Sequence, residues 1–154
     1  MTPIRRQYLE VKRRYPRAIV FFRLGDFYET FDDDAKLCAR ELDLTLTSRP
    51  LGKHLRVPMA GIPAHAGNTY LARLLARGYH VAICDQVGDP ATAKGLMARQ
   101  VTRVVTPGTV LTDDLLRGPA ANYLAAVIPG AQGWGLAYAE VSTGEFVTAQ
   151  LGSD

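Results

Sequence analysis

Hydrophobic positions along this chain change period several times, and each change marks an element. Over residues 3–15, Ile4, Tyr8 and Val11 fall on one side of a 3.6-residue period, with Leu9 beside them. Arg5, Arg6, Lys12, Arg13 and Arg14 cover the other side, which predicts an amphipathic helix that Pro16 ends. Residues 18–31 read AIVFFRLGDFYETF, with six of the first seven apolar or aromatic. The turn dipeptide Gly25-Asp26 then precedes the alternating run Phe27–Phe31, which predicts a hairpin. Alternation puts Phe27, Glu29 and Phe31 on one face, and Tyr28 and Thr30 on the other. Asp32, Asp33 and Asp34 open a second helix to about Leu42, because acids suit a helix N-terminus. Its apolar stripe is Ala35, Leu37, Cys38 and Leu42.

Further along, Leu44–Thr47 alternates as a strand does, and residues 49–54 (RPLGKH) form a basic loop rich in turn residues. Val57–Pro63 is extended, with two prolines that suit an edge or a turn and not a central strand. A third helix spans about Asn68–Arg77, stopped by Gly78. Tyr79–Cys84 reads as a buried strand, broken by Gly88-Asp89-Pro90, and residues 91–99 read as a short helix or an ordered loop. Gln100–Val105 is another strand, followed by a turn at Thr106–Thr109. A polar connector at about 110–121 marks a boundary. Beyond it come three short strands, at Tyr123–Ile128, Trp134–Val141 and Phe146–Leu151, with a turn at Pro129-Gly130 and no helix to cover them. Such a meander is marginal alone and reads as the opening of a further domain.

The pattern is α+β: a mixed sheet of about five or six strands, flanked by three or four helices, then the unfinished meander. A hydrophobic content of 47% fits a globular chain. No apolar run reaches the roughly 20 residues that span a bilayer, and the charged N-terminus is unlike a secretory signal. Cys38 and Cys84 lie in apolar surroundings, as expected of reduced, buried thiols in a cytoplasmic protein. Charge adds a division. Residues 1–103 carry 17 Lys/Arg against 10 Asp/Glu, whereas residues 104–154 carry Arg117 alone against five acids. The first part is therefore a candidate for contact with a polyanion.

Enzymatic signatures are weak. GxxxxGK[ST] and GxSxG motifs are absent, and His54, His65 and His80 are scattered. The three consecutive aspartates have no accompanying spaced ligand set for a metal. Glu10-Val11-Lys12 has a nuclease-like spacing, but it lies on a helix without a paired Asp. The hairpin is more suggestive. By pattern alone Phe27 is most simply a core residue and Glu29 a solvated one. A ring and a carboxylate two residues apart past a turn can instead project together into a ligand. In nucleic acid, a ring can wedge between base pairs while a polar group bonds to a base edge.

Four blocks, RLGDFYETFDDDA, VPMAGIPAH, AICDQVGDPATAKG and VTRVVTPGT, occur in this order. Together they closely resemble the N-terminal mismatch-recognition domain of the bacterial MutS family of DNA mismatch repair proteins. The resemblance covers about residues 3–110. It implies a mismatch-recognition domain at 1–110, a linker at 111–121, and at 122–154 the incomplete start of an RNase H-like connector domain. It further implies that Phe27 enters the minor groove at a mispaired or looped site and stacks there, while Glu29 bonds to the base edge. Pro58 and Met59 would lie beside the wedge, or shape a loop that supports it. Arg49, Lys53, Arg56, Lys94, Arg99 and Arg103 are candidate phosphate contacts. Gln100 departs from the family pattern, which more often has Lys or Arg there. The partners implied are mismatched double-stranded DNA and, for the full-length protein, a second subunit and a MutL-type repair factor. ATP and Mg belong to the full-length ATPase; no cofactor, catalytic residue or membrane contact is expected of this stretch, and the location implied is cytoplasmic and nucleoid-associated. The alternatives are a protein-interaction module for downstream repair factors, or a general nucleic-acid-binding domain.

Overall fold

A computed structural model describes residues 2–50, 55–88, 97–107, 123–140 and 143–152. The chain divides into two compact units, Met1–Thr106 and Pro107–Asp154. The first runs α1 (Pro3–Arg14), β1 (Ile19–Leu24), β2 (Phe27–Phe31), α2 (Asp32–Leu42), β3 (Thr47–Pro50), β4 (Arg56–Pro63), a 3-10 turn (Ala64–Ala66), α3 (Gly67–Leu75), β5 (Val81–Val87) and β6 (Ala98–Val105). Its six strands form one mixed sheet in the order β3-β4-β2-β1-β5-β6. Only β1 and β5 are parallel; the other neighbours are antiparallel. The α+β architecture read from the sequence is the one observed.

Helices cover both faces of this sheet. Tyr8 and Val11 of α1 pack on Val20, Phe22, Phe31, Val57 and Cys84. Tyr8 meets Phe31 and Phe22 edge to face, at centroid distances of 5.0 and 5.8 Å. On the other face, α3 begins at Gly67, where an added Cβ would lie 3.3 Å from the Tyr28 ring. The close approach of helix to strand is therefore made where there is no side chain. Gly78, at φ +84, closes the C-terminal turn, as the sequence predicts. Burial pushes the thiol of Cys38 up to about 12 and that of Cys84 up to about 11, so neither is an accessible thiolate at neutral pH.

Several expected elements shift. The strand expected at Leu44–Thr47 begins instead at Thr47, because Asp43 takes a left-handed conformation (φ 57) and ends α2 with Leu44 N–H bonded to Ala39 O. Arg49 and Pro50, expected in a loop, are paired in β3 with Val57 and Arg56. The proline-bearing segment lies inside the sheet, between β3 and β2, and not at an edge. Its ladder with β2 runs from Met59 to Pro63, so Pro63 sits at one end and Pro58 one residue beyond the other. The prolines bracket that ladder instead of interrupting it. The strand expected at Tyr79–Cys84 runs over Val81–Val87 and stops at Gly88, at φ +103.

The second unit shows β7 (Tyr123–Gly130), β8 (Gly133–Glu140) and β9 (Phe146–Leu151) as a three-stranded antiparallel meander. The first turn falls at Ala131-Gln132; Pro129 and Gly130 remain paired, opposite Trp134 and Gly133. At Gly133, φ +122, a Cβ would overlap the Leu151 carbonyl. The connector expected at 110–121 lies outside the described residues. Among the described residues, no helix is long and apolar enough to cross a membrane.

Candidate nucleic-acid interface

The hairpin β1–β2 turns in two residues, with Leu24 opposite Phe27. Gly25 takes φ +58, a conformation that a side chain disfavours. The turn is braced from both sides: Ala64 N–H donates to Asp26 O at 2.8 Å, and the Arg23 guanidinium donates to Gly25 O. Along β2 exposure falls steeply, from 46% at Phe27 to 0% at Phe31. One strand face thus carries a core ring at its inner end and a free ring at its tip. The Phe27 ring lies against Gly61 of β4, where an added Cβ would be 3.5 Å from Cδ1.

Glu29 stands between the two rings, paired in register with Phe22 on one side and Gly61 on the other. Neither neighbour offers it a polar group. Its Oε2 instead accepts from Arg49 Nη1 of β3 at 2.8 Å. Tyr28 is turned to the opposite face. Its hydroxyl donates to Asp85 Oδ1 at 2.8 Å, its ring packs near Phe21, and Arg23 lies over it at 5.3 Å. Burial raises the Tyr28 hydroxyl pKa, and the bond to Asp85 adds to the effect. Thr102 Oγ1 donates to Asp85 Oδ2 at 2.6 Å, so this carboxylate ties β2 to β5 and β6.

The braced hairpin thus presents an apolar tip with a carboxylate behind it. Residues 2–114 match the family model described as MutS domain I. The chain belongs to the MutS family. It is 57% identical over 151 residues to the DNA mismatch repair protein MutS of Dehalococcoides mccartyi (strain ATCC BAA-2266 / KCTC 15142 / 195), covering 98% of this chain and 18% of that protein. It is similarly 59% identical over 151 residues to the MutS of Symbiobacterium thermophilum, covering 97% and 17%. Against that of Thermosynechococcus vestitus it is 56% identical over 155 residues, covering 100% and 18%. The chain therefore spans less than a fifth of the length of the curated relatives it matches.

The remaining residues expected at a MutS interface are not gathered at the hairpin tip. Met59 opposes Phe31 and Thr47, on the Phe27 face but at its inner end, half-buried against the α1 core. Pro58 alternates to the opposite face, away from Phe27, so its side chain does not lie beside that ring. Arg56 is exposed at the start of β4, where its Nε donates to Ser48 Oγ at 3.1 Å. Arg103 is exposed on β6, opposite Ile83 and three strands from β2.

Arg99 overturns its expected role. It is 9% exposed and stacks on Phe22 at 5.3 Å. It donates to Arg23 O at 2.7 Å, Met97 O at 2.9 Å and Gln7 Oε1 at 3.2 Å, which joins β6 to β1 and α1. A guanidinium committed inside the fold is not a phosphate contact. Lys53 and Lys94 lie outside the described residues. Sequence reasoning missed Asp85 and Arg23, although a lone acid in the apolar run AICDQV was a usable signal for the first.

Proposed function

We propose that this chain recognises mispaired or looped sites in double-stranded DNA through Phe27, with Glu29 at the base edge. The observation that carries this is the exposure of Phe27 on a strand whose inner ring is fully buried, beside a carboxylate, in a member of the MutS family. Inserting a ring unstacks a base step at a cost of about a few kcal/mol, least where pairing is already poor. A mispair is then read as a softer place to kink, with little dependence on base identity. A braced hairpin suits this task, because a mobile probe would add its own ordering cost to each encounter.

On this reading Arg56 and Arg103, exposed among the described candidates, are available to phosphate, and Lys53 and Lys94 stay candidates beside them. The first unit is the mismatch-recognition domain, and the meander of the second opens an RNase H-like connector. ATP and Mg, the pairing with a second subunit and the engagement of a MutL-type factor belong to the remainder of a full-length protein. The test is Phe27→Ala in a full-length MutS carrying this chain, with titration of G·T and matched duplexes. We expect the two affinities to converge while matched-duplex binding stays near wild type. Unchanged discrimination overturns the wedge role.

A further inference from the structure

The ion pair between Arg49 and Glu29 gives Arg49 a place other than the DNA backbone. Arg49 lies on β3, and β4 separates it from the strand that carries Glu29. Register nevertheless puts Phe27, Glu29, Phe31, Met59, Val57 and Arg49 on one face. The Glu29 side chain is 13% exposed and that of Arg49 is 36% exposed, so the carboxylate is the more covered partner. Covered carboxylates need a donor. Gly61 has no side chain and Phe22 has no polar group, so among the described residues Arg49 is the one cation paired with this carboxylate. The planar guanidinium donates from a fixed direction to Glu29 Oε2, which a point charge on a flexible stem does less well.

We propose that Arg49 is a positioning residue for mismatch discrimination: it aims the Glu29 carboxylate alongside the Phe27 ring before DNA arrives. The proposal rests on the reading of Phe27 and Glu29 as the probe, and it differs from a phosphate contact in what its loss changes. A phosphate contact contributes equally on every duplex, and its loss lowers the salt slope by about one. A positioning residue acts through Glu29, and its loss changes the ratio of mismatched to matched binding.

The experiment uses the full-length protein carrying this chain, with Arg49→Ala, Arg49→Lys, Glu29→Gln and the double variant Arg49→Ala/Glu29→Gln. Affinities for G·T and matched duplexes are measured across a salt series, with thermal midpoints to confirm folding. For Arg49→Ala we expect discrimination to change by about fivefold or more, with matched-duplex affinity moving less than G·T affinity and the salt slope unchanged. The double variant should behave as Glu29→Gln alone, and Arg49→Lys should keep the salt slope but recover only part of the discrimination. Equal weakening on both duplexes with a reduced slope overturns the proposal, as does additivity of the two substitutions. If Phe27→Ala leaves discrimination intact, the probe reading fails first, and that result is separate from the Arg49 cycle.

Discussion

Three adjacent aspartates show how far one residue's surroundings decide its work. All three suit the first turn of α2 electrostatically, yet their side chains have different partners. Asp32 pairs with Arg5 of α1 at 2.6 Å, from a backbone at φ 56. Asp33 is exposed and bonds to Lys36, which lowers its pKa. Asp34 is buried; it accepts from Val20 N–H at 3.0 Å and Lys12 Nζ at 2.8 Å, beside the Tyr8 hydroxyl at 3.2 Å. The Tyr8 pKa is driven far upward, by burial first and then by the Asp34 charge. Asp34→Ala would strand the Val20 N–H and remove the anion from Lys12, at a cost of about 3 kcal/mol. Urea denaturation of the 154-residue chain should show this loss, while Asp33→Ala, which removes only an exposed pair and a dipole contact, shifts the midpoint far less. Equal effects at the two positions would refute the assignment. Dipole complementarity was readable from the sequence, but which of the three turns inward depends on α1 and β1 folding against α2.

Among the elements, the β1–β2 hairpin contributes most to the candidate site, and its turn can be tested without touching the probe. Gly25 has open space around a would-be Cβ, so the only penalty for Gly25→Ala is the backbone at φ +58. That penalty is about 1 kcal/mol, and Asn should recover part of it. A larger loss, or a gain, on chemical denaturation would show that the turn is held differently. The hairpin, its turn residues and both long helices were legible because each depends on neighbours within a few positions. β3 and the internal place of β4 were not legible. Pro58 and Pro63 look like edge residues until the register shows that they flank the ladder with β2. Arg99 looked like one cation in a basic run, yet its partners Gln7 and Arg23 lie more than seventy residues away. The Arg49–Glu29 pair was hidden for the same reason, since only the strand order brings the two side chains to one face.

At the scale of the whole molecule, charge is divided as the units are. Residues 1–106 hold 17 Lys/Arg and 10 Asp/Glu, and residues 107–154 hold one Arg and five acids. The first unit should attract a duplex and the second should repel it, whatever the contacts at the hairpin. With few backbone contacts in hand, the 154-residue chain should bind DNA weakly and with little mismatch preference. The repulsion is long-ranged only at low ionic strength, because the screening length is about 30 Å at about 0.01 M salt and about 8 Å at about 0.15 M. A chain ending at Thr106 should therefore bind a matched duplex several-fold more tightly than the 154-residue chain near about 0.01 M salt. Fluorescence anisotropy at about 0.15 M should bring the two close together, since little of the acidic field then reaches the DNA. A difference that persists at the higher salt would point to direct occlusion of the duplex by the second unit. No difference at either salt would mean that the acidic surplus lies too far from the bound DNA to act. The Phe27→Ala comparison would be unaffected by either result, because the acidic field falls on matched and mismatched duplexes alike.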